Sequence, residues 1–167
     1  ARFGKEYVSC RGRGRTGSRG REEAPHAHPG FAALCQCAAL LYRDGGLRDF
    51  SNPNLQDQPD TYAGDMWYTG YEDNGGVHYN SGVQNFWFYL LSEGGNGVND
   101  RGINYSVNSI GMDTAVNIAY RNLTEYLISS SDYLDSRIGS LLATADLYGK
   151  NSSTYQEVAK AWDAVGV

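Results

Sequence analysis

No stretch of this chain approaches the roughly 18 apolar residues that a membrane-crossing helix needs. The longest apolar run, from Phe31 to Tyr42, is too short and is broken by Gln36. The first thirty residues scatter arginines with no apolar block beside them, so they lack the form of an export signal. Histidine and cysteine are scarce as well. The chain has three of each, and Cys10, Cys35, Cys37, His26 and His28 all lie near its start. No internal repeat is evident. The apolar fraction, 41%, is enough for the core of one ordinary domain.

The net charge of −5 averages two unlike parts. Residues 1–43 hold eight Lys and Arg against three Asp and Glu, a net +5; residues 44–167 hold six against sixteen, a net −10. Residues 1–41 pass through Arg11-Gly12-Arg13-Gly14-Arg15 and Arg19-Gly20-Arg21, with no hydrophobic periodicity before about Phe31. Such composition buries too little apolar surface to fold alone. The segment is expected to be disordered, at most helical over 32–41, or to be the product of a shifted reading frame. An Arg-Gly tail can bind RNA, but the acidic remainder argues against a nucleic-acid partner. His26-Ala27-His28 and Cys35-Gln36-Cys37 fit no structural zinc spacing, so no metal ligand is assigned.

The rest of the chain predicts a mainly α fold, a helical bundle behind an irregular lead-in over 42–74. Asn52-Pro53, Pro59-Asp60 and Asp73-Asn74-Gly75-Gly76 are turn signals. Val77, Val83, Phe86, Trp87, Leu90 and Leu91 predict a first helix over 76–92. A loop rich in Gly and Asn follows, with a short strand or hairpin around 103–107. A second helix is expected over 113–127, with Val116, Ala119, Tyr120, Leu123 and Leu127 on one face. A third, over 132–148, carries Leu134, Ile138, Leu141, Leu142, Ala145 and Tyr148, and Gly149 stops it. A fourth starts at Thr154, which can form a capping box with Glu157. It presents Tyr155, Val158, Ala159, Trp162 and Val165. All of these stripes are expected to face the core.

Asp73-Asn74-Gly75-Gly76-Val77-His78 is the most informative stretch. It sets a carboxylate five residues before the third histidine, with two glycines between them. The carboxylate can bond one ring nitrogen and fix the tautomer. That suits a general acid or an oxyanion stabiliser. A turn histidine whose Asp merely caps a helix has the same spacing.

Asp73 through Tyr79-Asn80-Ser81-Gly82 resembles a signature of the thermolysin-like zinc metallopeptidases. Gly45-Gly46-Leu47-Arg48-Asp49-Phe50-Ser51-Asn52-Pro53 and Pro59-Asp60-Thr61-Tyr62 are similar to segments that precede it in that family. Gly111-Met112-Asp113, Tyr120-Arg121-Asn122-Leu123-Thr124-Glu125-Tyr126-Leu127 and Ala145-Asp146-Leu147-Tyr148-Gly149 are similar to segments that follow it. So is Ala161-Trp162-Asp163-Ala164-Val165-Gly166-Val167. The resemblance covers residues 42–167 in one consistent order and leaves out 1–41.

The resemblance implies the C-terminal helical part of a secreted zinc metalloendopeptidase acting on peptide or protein substrates. It implies that His78 stabilises the oxyanion or supplies a proton, and that Asp73 orients it. It also implies that Arg48 bonds a substrate backbone carbonyl and that Leu47 lines the pocket beyond the scissile bond. Zinc in that family is held by a His-Glu-x-x-His helix and a later Glu. That motif is absent here, so the chain needs a missing N-terminal, zinc-bearing half and is expected to be inactive alone. Calcium also occurs in the family; Asp44, Asp57 and Asp60 suggest it, without an assignment. The competing reading is a non-catalytic helical binding module derived from such a peptidase.

Overall fold

A computed structural model describes residues 48–167. The expectations for residues 1–41, and Leu47, lie outside the described residues. The lead-in carries one 3-10 turn, Pro53–Gln56. Helices α1 (Asp73–Asn80) and α2 (Gly82–Glu93) follow. Strands β1 (Gly95–Val98) and β2 (Asn104–Val107) pair antiparallel, with Gly95 opposite Val107. Helix α3 (Met112–Arg121) runs into a π-helical turn, Asn122–Tyr126. Helices α4 (Tyr133–Tyr148) and α5 (Ser153–Ala164) complete the bundle. The mainly α fold and its four principal helices are as expected.

The core forms where three helix faces meet. On α2, Val83, Phe86, Trp87, Leu90 and Leu91 are buried at helical steps. They meet Ala115 and Ile118 of α3 and Val158, Ala161 and Trp162 of α5. The Trp87 and Trp162 rings stack with centroids 4.7 Å apart, and both are fully buried. Such a pair adds about 0.5–1.5 kcal/mol beyond the area it removes from water. The Trp162 indole N–H donates to Ser140 Oγ of α4 at 2.7 Å.

Four expectations need correction. The first helix is split at Ser81, and its expected first residue, Gly76, still belongs to the left-handed turn that precedes it: Asp73, Asn74, Gly75 and Gly76 have φ of 54°, 52°, 81° and 81°. The second helix is α-helical only to Arg121. Its π-helical turn inserts a residue, swings buried Asn122 inward and leaves Leu123 59% exposed. The fourth helix is capped by Ser152, whose Oγ accepts from the Tyr155 N–H at 3.1 Å. Glu157 is drawn elsewhere, accepting from the Asn108 N–H at 2.8 Å and from Lys160 Nζ at 2.8 Å. The capping box is on α4 instead, between Asp132 and Asp135.

The fourth correction is the largest. Helix α4 turns Ser136, Gly139, Ser140, Ala143 and Thr144 inward, while Leu134, Ile138 and Leu142 are about half exposed. Close approach explains the inversion. A side chain at Gly139 would collide with Asn122 and Tyr126, and Ser140 must reach the Trp162 indole. Only small residues fit there, so the aliphatic stripe faces out.

The contrast gives a direct test by urea unfolding. Trp162→Ala, which empties the centre of the core, is expected to cost about 3–5 kcal/mol. Leu142→Ala, on the outward stripe, is expected to stay within about 0.5 kcal/mol. A large loss at Leu142 would contradict the orientation of α4.

Candidate active site

The site is built on the break between α1 and α2. After four left-handed residues the chain turns right-handed for a single turn, Val77 to Asn80, and presents His78. Its side chain is 73% exposed, against 22% for Asp73. Asp73 holds His78 twice: Oδ2 accepts from the His78 backbone N–H at 2.7 Å, and Oδ1 lies 2.5 Å from Nδ1. An ionised carboxylate can only accept, so Nδ1 carries the hydrogen of that bond. Nε2 is therefore the nitrogen left to face a ligand. The hydrogen bonds from the His78 ring and backbone hold the Asp73 carboxyl below the ordinary aspartate value of 3.8, and the Arg48 charge adds to this.

The His78 carbonyl is held from the other side. It accepts from Arg48 Nη1 at 2.9 Å, Gln58 Nε2 at 3.1 Å and Ser81 Oγ at 3.2 Å. Arg48 also donates to Ser81 Oγ at 2.6 Å. The two residues predicted by resemblance, Arg48 and His78, are thus brought together, with Arg48 anchoring the histidine's own backbone. Gln58 is buried and went unpredicted; its one sequence signal is its place before Pro59 in a turn.

Asn80 is the other residue that sequence reasoning missed. Its buried amide accepts from the Tyr68 N–H at 2.9 Å and donates to the Tyr68 carbonyl at 3.0 Å. It thereby fixes the irregular lead-in against α1. The Tyr68 ring stacks on Tyr79 with centroids 5.2 Å apart and lies over Gly76, where any side chain would strike it. Tyr133, at the start of α4, donates to the Asn80 carbonyl at 2.7 Å, and burial pushes its phenol up to about 12. Beside these residues opens a groove of about 590 Å³, lined by Tyr62, Trp67, Val77, Leu127, Ile128 and Tyr133 among others.

Metal ligands are a separate matter. Among the described residues, no group of three or more His, Cys, Asp and Glu is arranged to hold a metal ion. These residues do not fit a catalytic zinc. Asp60 is occupied by Asn54 and Thr61, and burial raises its carboxyl above the ordinary value. No helix among the described residues is long and apolar enough to cross a membrane.

This chain belongs to the thermolysin metallopeptidases: the α-helical domain of that family matches residues 37–167. It is 44% identical over 123 residues to the thermostable neutral protease NprT of Geobacillus stearothermophilus, covering 72% of this chain and 21% of that protein. It is 43% identical over 121 residues to a bacillolysin of Brevibacillus brevis, covering 72% of this chain and 22% of the relative. A transglutaminase-activating metalloprotease of Streptomyces mobaraensis is 42% identical over 113 residues, with 62% of this chain and 14% of that protein covered. The chain spans about a fifth of the length of the first two relatives.

The Asp73 link has a defined pH window. A carboxyl held below 3.8 contributes fully above that value, and its contribution is lost as the pH falls through the folded-state value. The downfield shift and slow exchange of the His78 amide are therefore expected to persist down to pH 3.8 and to vanish only below it. Loss of both above pH 4.5, where an ordinary aspartate is still largely ionised, would contradict the bond.

Proposed function

We propose that this lobe forms one wall of the substrate cleft of a metalloendopeptidase, supplying charge stabilisation to peptide-bond hydrolysis. The observation that carries the reading is the Asp73–His78 pair, with His78 exposed and its Nδ1 hydrogen committed to Asp73. An imidazolium so held has one remaining N–H, on Nε2. Aimed at the oxygen of a tetrahedral intermediate, that donor is worth about 2.7–4 kcal/mol of barrier. Asp73 keeps the tautomer and ring direction, as a carboxylate does for a catalytic histidine elsewhere.

Arg48 carries a double duty in this reading. One nitrogen secures His78 and Ser81. The rest of the guanidinium fork suits a substrate carbonyl. Leu47 is read as lining the pocket for the residue after the scissile bond. The metal and the activation of water lie with an N-terminal, zinc-bearing half, since neither the described residues nor a His-Glu-x-x-His motif supplies them. The parent enzyme is read as exported. Calcium remains an expectation for the parent without a residue. The alternative, a non-catalytic binding module, draws on the apolar groove beside α1. It gives no use to an oriented histidine and an arginine joined through one loop.

The test is peptide hydrolysis by the chain alone and by a chimaera carrying the zinc half of a relative. The chain alone is expected to show no turnover, and the chimaera to be active. In the chimaera, His78→Ala is expected to lower kcat by about 10²–10³, because the interaction strengthens in the transition state. An active chimaera indifferent to His78→Ala would sink the role given to that residue.

A further inference from the structure

The outward face of α4 carries a seam that the core uses only at Leu141, whose side chain packs partly against it. Leu134, Ile138, Leu141, Ala145 and Tyr148 recur at steps of four, three, four and three. This is the spacing by which one helix packs along another, with Ile at one kind of seam position and Leu at the other. Leu134 is 57% exposed, Ile138 50% and adjoining Leu142 47%, while Leu141 and Ala145 are half-buried. Scattered surface leucines need no explanation; a row of apolar side chains over four helical turns, exposed at Leu134, Ile138 and Tyr148, does. It lies opposite Ser136, Ser140 and Ala143, which already satisfy the core.

We propose that this seam is a self-association surface, on which α4 pairs antiparallel with α4 of a second copy of this chain across a two-fold axis. Charge selects both the occupant and the direction. The N-terminal end of α4 bears exposed Asp132 and Asp135, committed only to each other's backbone N–H groups. Just past its C-terminal end stands exposed Lys150, which makes no ion pair among the described residues. In an antiparallel pair, Lys150 of each copy falls beside the acidic end of the other, and the helix dipoles oppose favourably. Parallel pairing would set the two acidic ends together. A two-fold contact needs a self-complementary patch, and a seam with opposite charges at its ends is one.

The contact is small. Sixteen residues make a helix of about 24 Å, and a single helix pair falls below about 1,200 Å² in total, the class of weak association. Dimers are therefore expected at tens to hundreds of micromolar, roughly the range of small interfaces. This surface is remote in role from the peptidase reading and stands or falls without it.

Sedimentation velocity on the full 167-residue chain, from about 5 to about 500 μM to span that weak class, reads the association. The expected result is a rise toward a dimer that Ile138→Asp weakens at least tenfold, with an unchanged circular dichroism spectrum. Crosslinking then reads direction, with Cys10, Cys35 and Cys37 first changed to Ser. Leu141→Cys, at the midpoint of the seam, is expected to form a disulfide dimer with itself. Leu134→Cys is expected to crosslink only when mixed with Tyr148→Cys. A monomer throughout would overturn the proposal. So would a salt-sensitive dimer indifferent to Ile138→Asp, which would point to the basic first segment meeting the acidic remainder. Self-crosslinking of Leu134→Cys would overturn it too, by making the pair parallel.

Discussion

Asp73 through Gly76 all hold positive φ angles, and the site depends on keeping them there. Left-handed residues other than glycine cost of order 1–2 kcal/mol each. Asp and Asn are the side chains that tolerate the region best, and here they occupy its two non-glycine positions. The compensation is local. Gly75 and Gly76 donate back to the Glu72 carbonyl, Asp73 takes the His78 N–H and ring, and Asn80 ties Tyr68 beneath them. A backbone wound against its preferred hand is thus held by groups that also aim the histidine. The same few bonds hold the strained backbone and orient the His78 ring.

The helical lobe behind this loop supplies rigidity. Helix α2 begins where the His78 carbonyl collects three side-chain donors, so the loop is moored to the core by the Trp87 helix. Tyr133 moors it a second time, from α4 to the Asn80 carbonyl. Helix α4 is in turn seated by Ser140 on the Trp162 indole. The path from the buried tryptophan stack to the exposed histidine runs through polar contacts at close range. That explains why the inward face of α4 is small and polar, and why its aliphatic residues were available for the surface.

The fold class and the number of helices were readable because α2 and α5 bury apolar residues at helical spacing, as Val83–Phe86–Trp87–Leu90 and Val158–Ala161–Trp162 do. The face of α4 was not readable, because periodicity reports a stripe and not its direction. Hydrophobicity pointed at Leu134 and Ile138, whereas packing distance selected Gly139 and Ser140. The π-helical turn at Asn122–Tyr126 was hidden for a similar reason: one extra residue shifts a face without altering composition. His78, Asp73 and Arg48 were candidates through motif wording, and the structure joins them in one network. Gln58 and Asn80 were missed because a buried amide looks like any surface amide until its partners are known. β1 was missed because Gly95-Asn96-Gly97 has no strand propensity and is paired only by β2.

The account rests on His78 being presented with its Nδ1 hydrogen committed to Asp73 and its Nε2 free to face a substrate oxygen. Two-bond proton–nitrogen NMR of the His78 ring reads this directly. In the neutral ring, the account predicts a hydrogen on Nδ1 and a bare Nε2, with the Nδ1 proton shifted far downfield and lost in Asp73→Ala. A neutral ring carrying its hydrogen on Nε2, or a spectrum unchanged by Asp73→Ala, would contradict it.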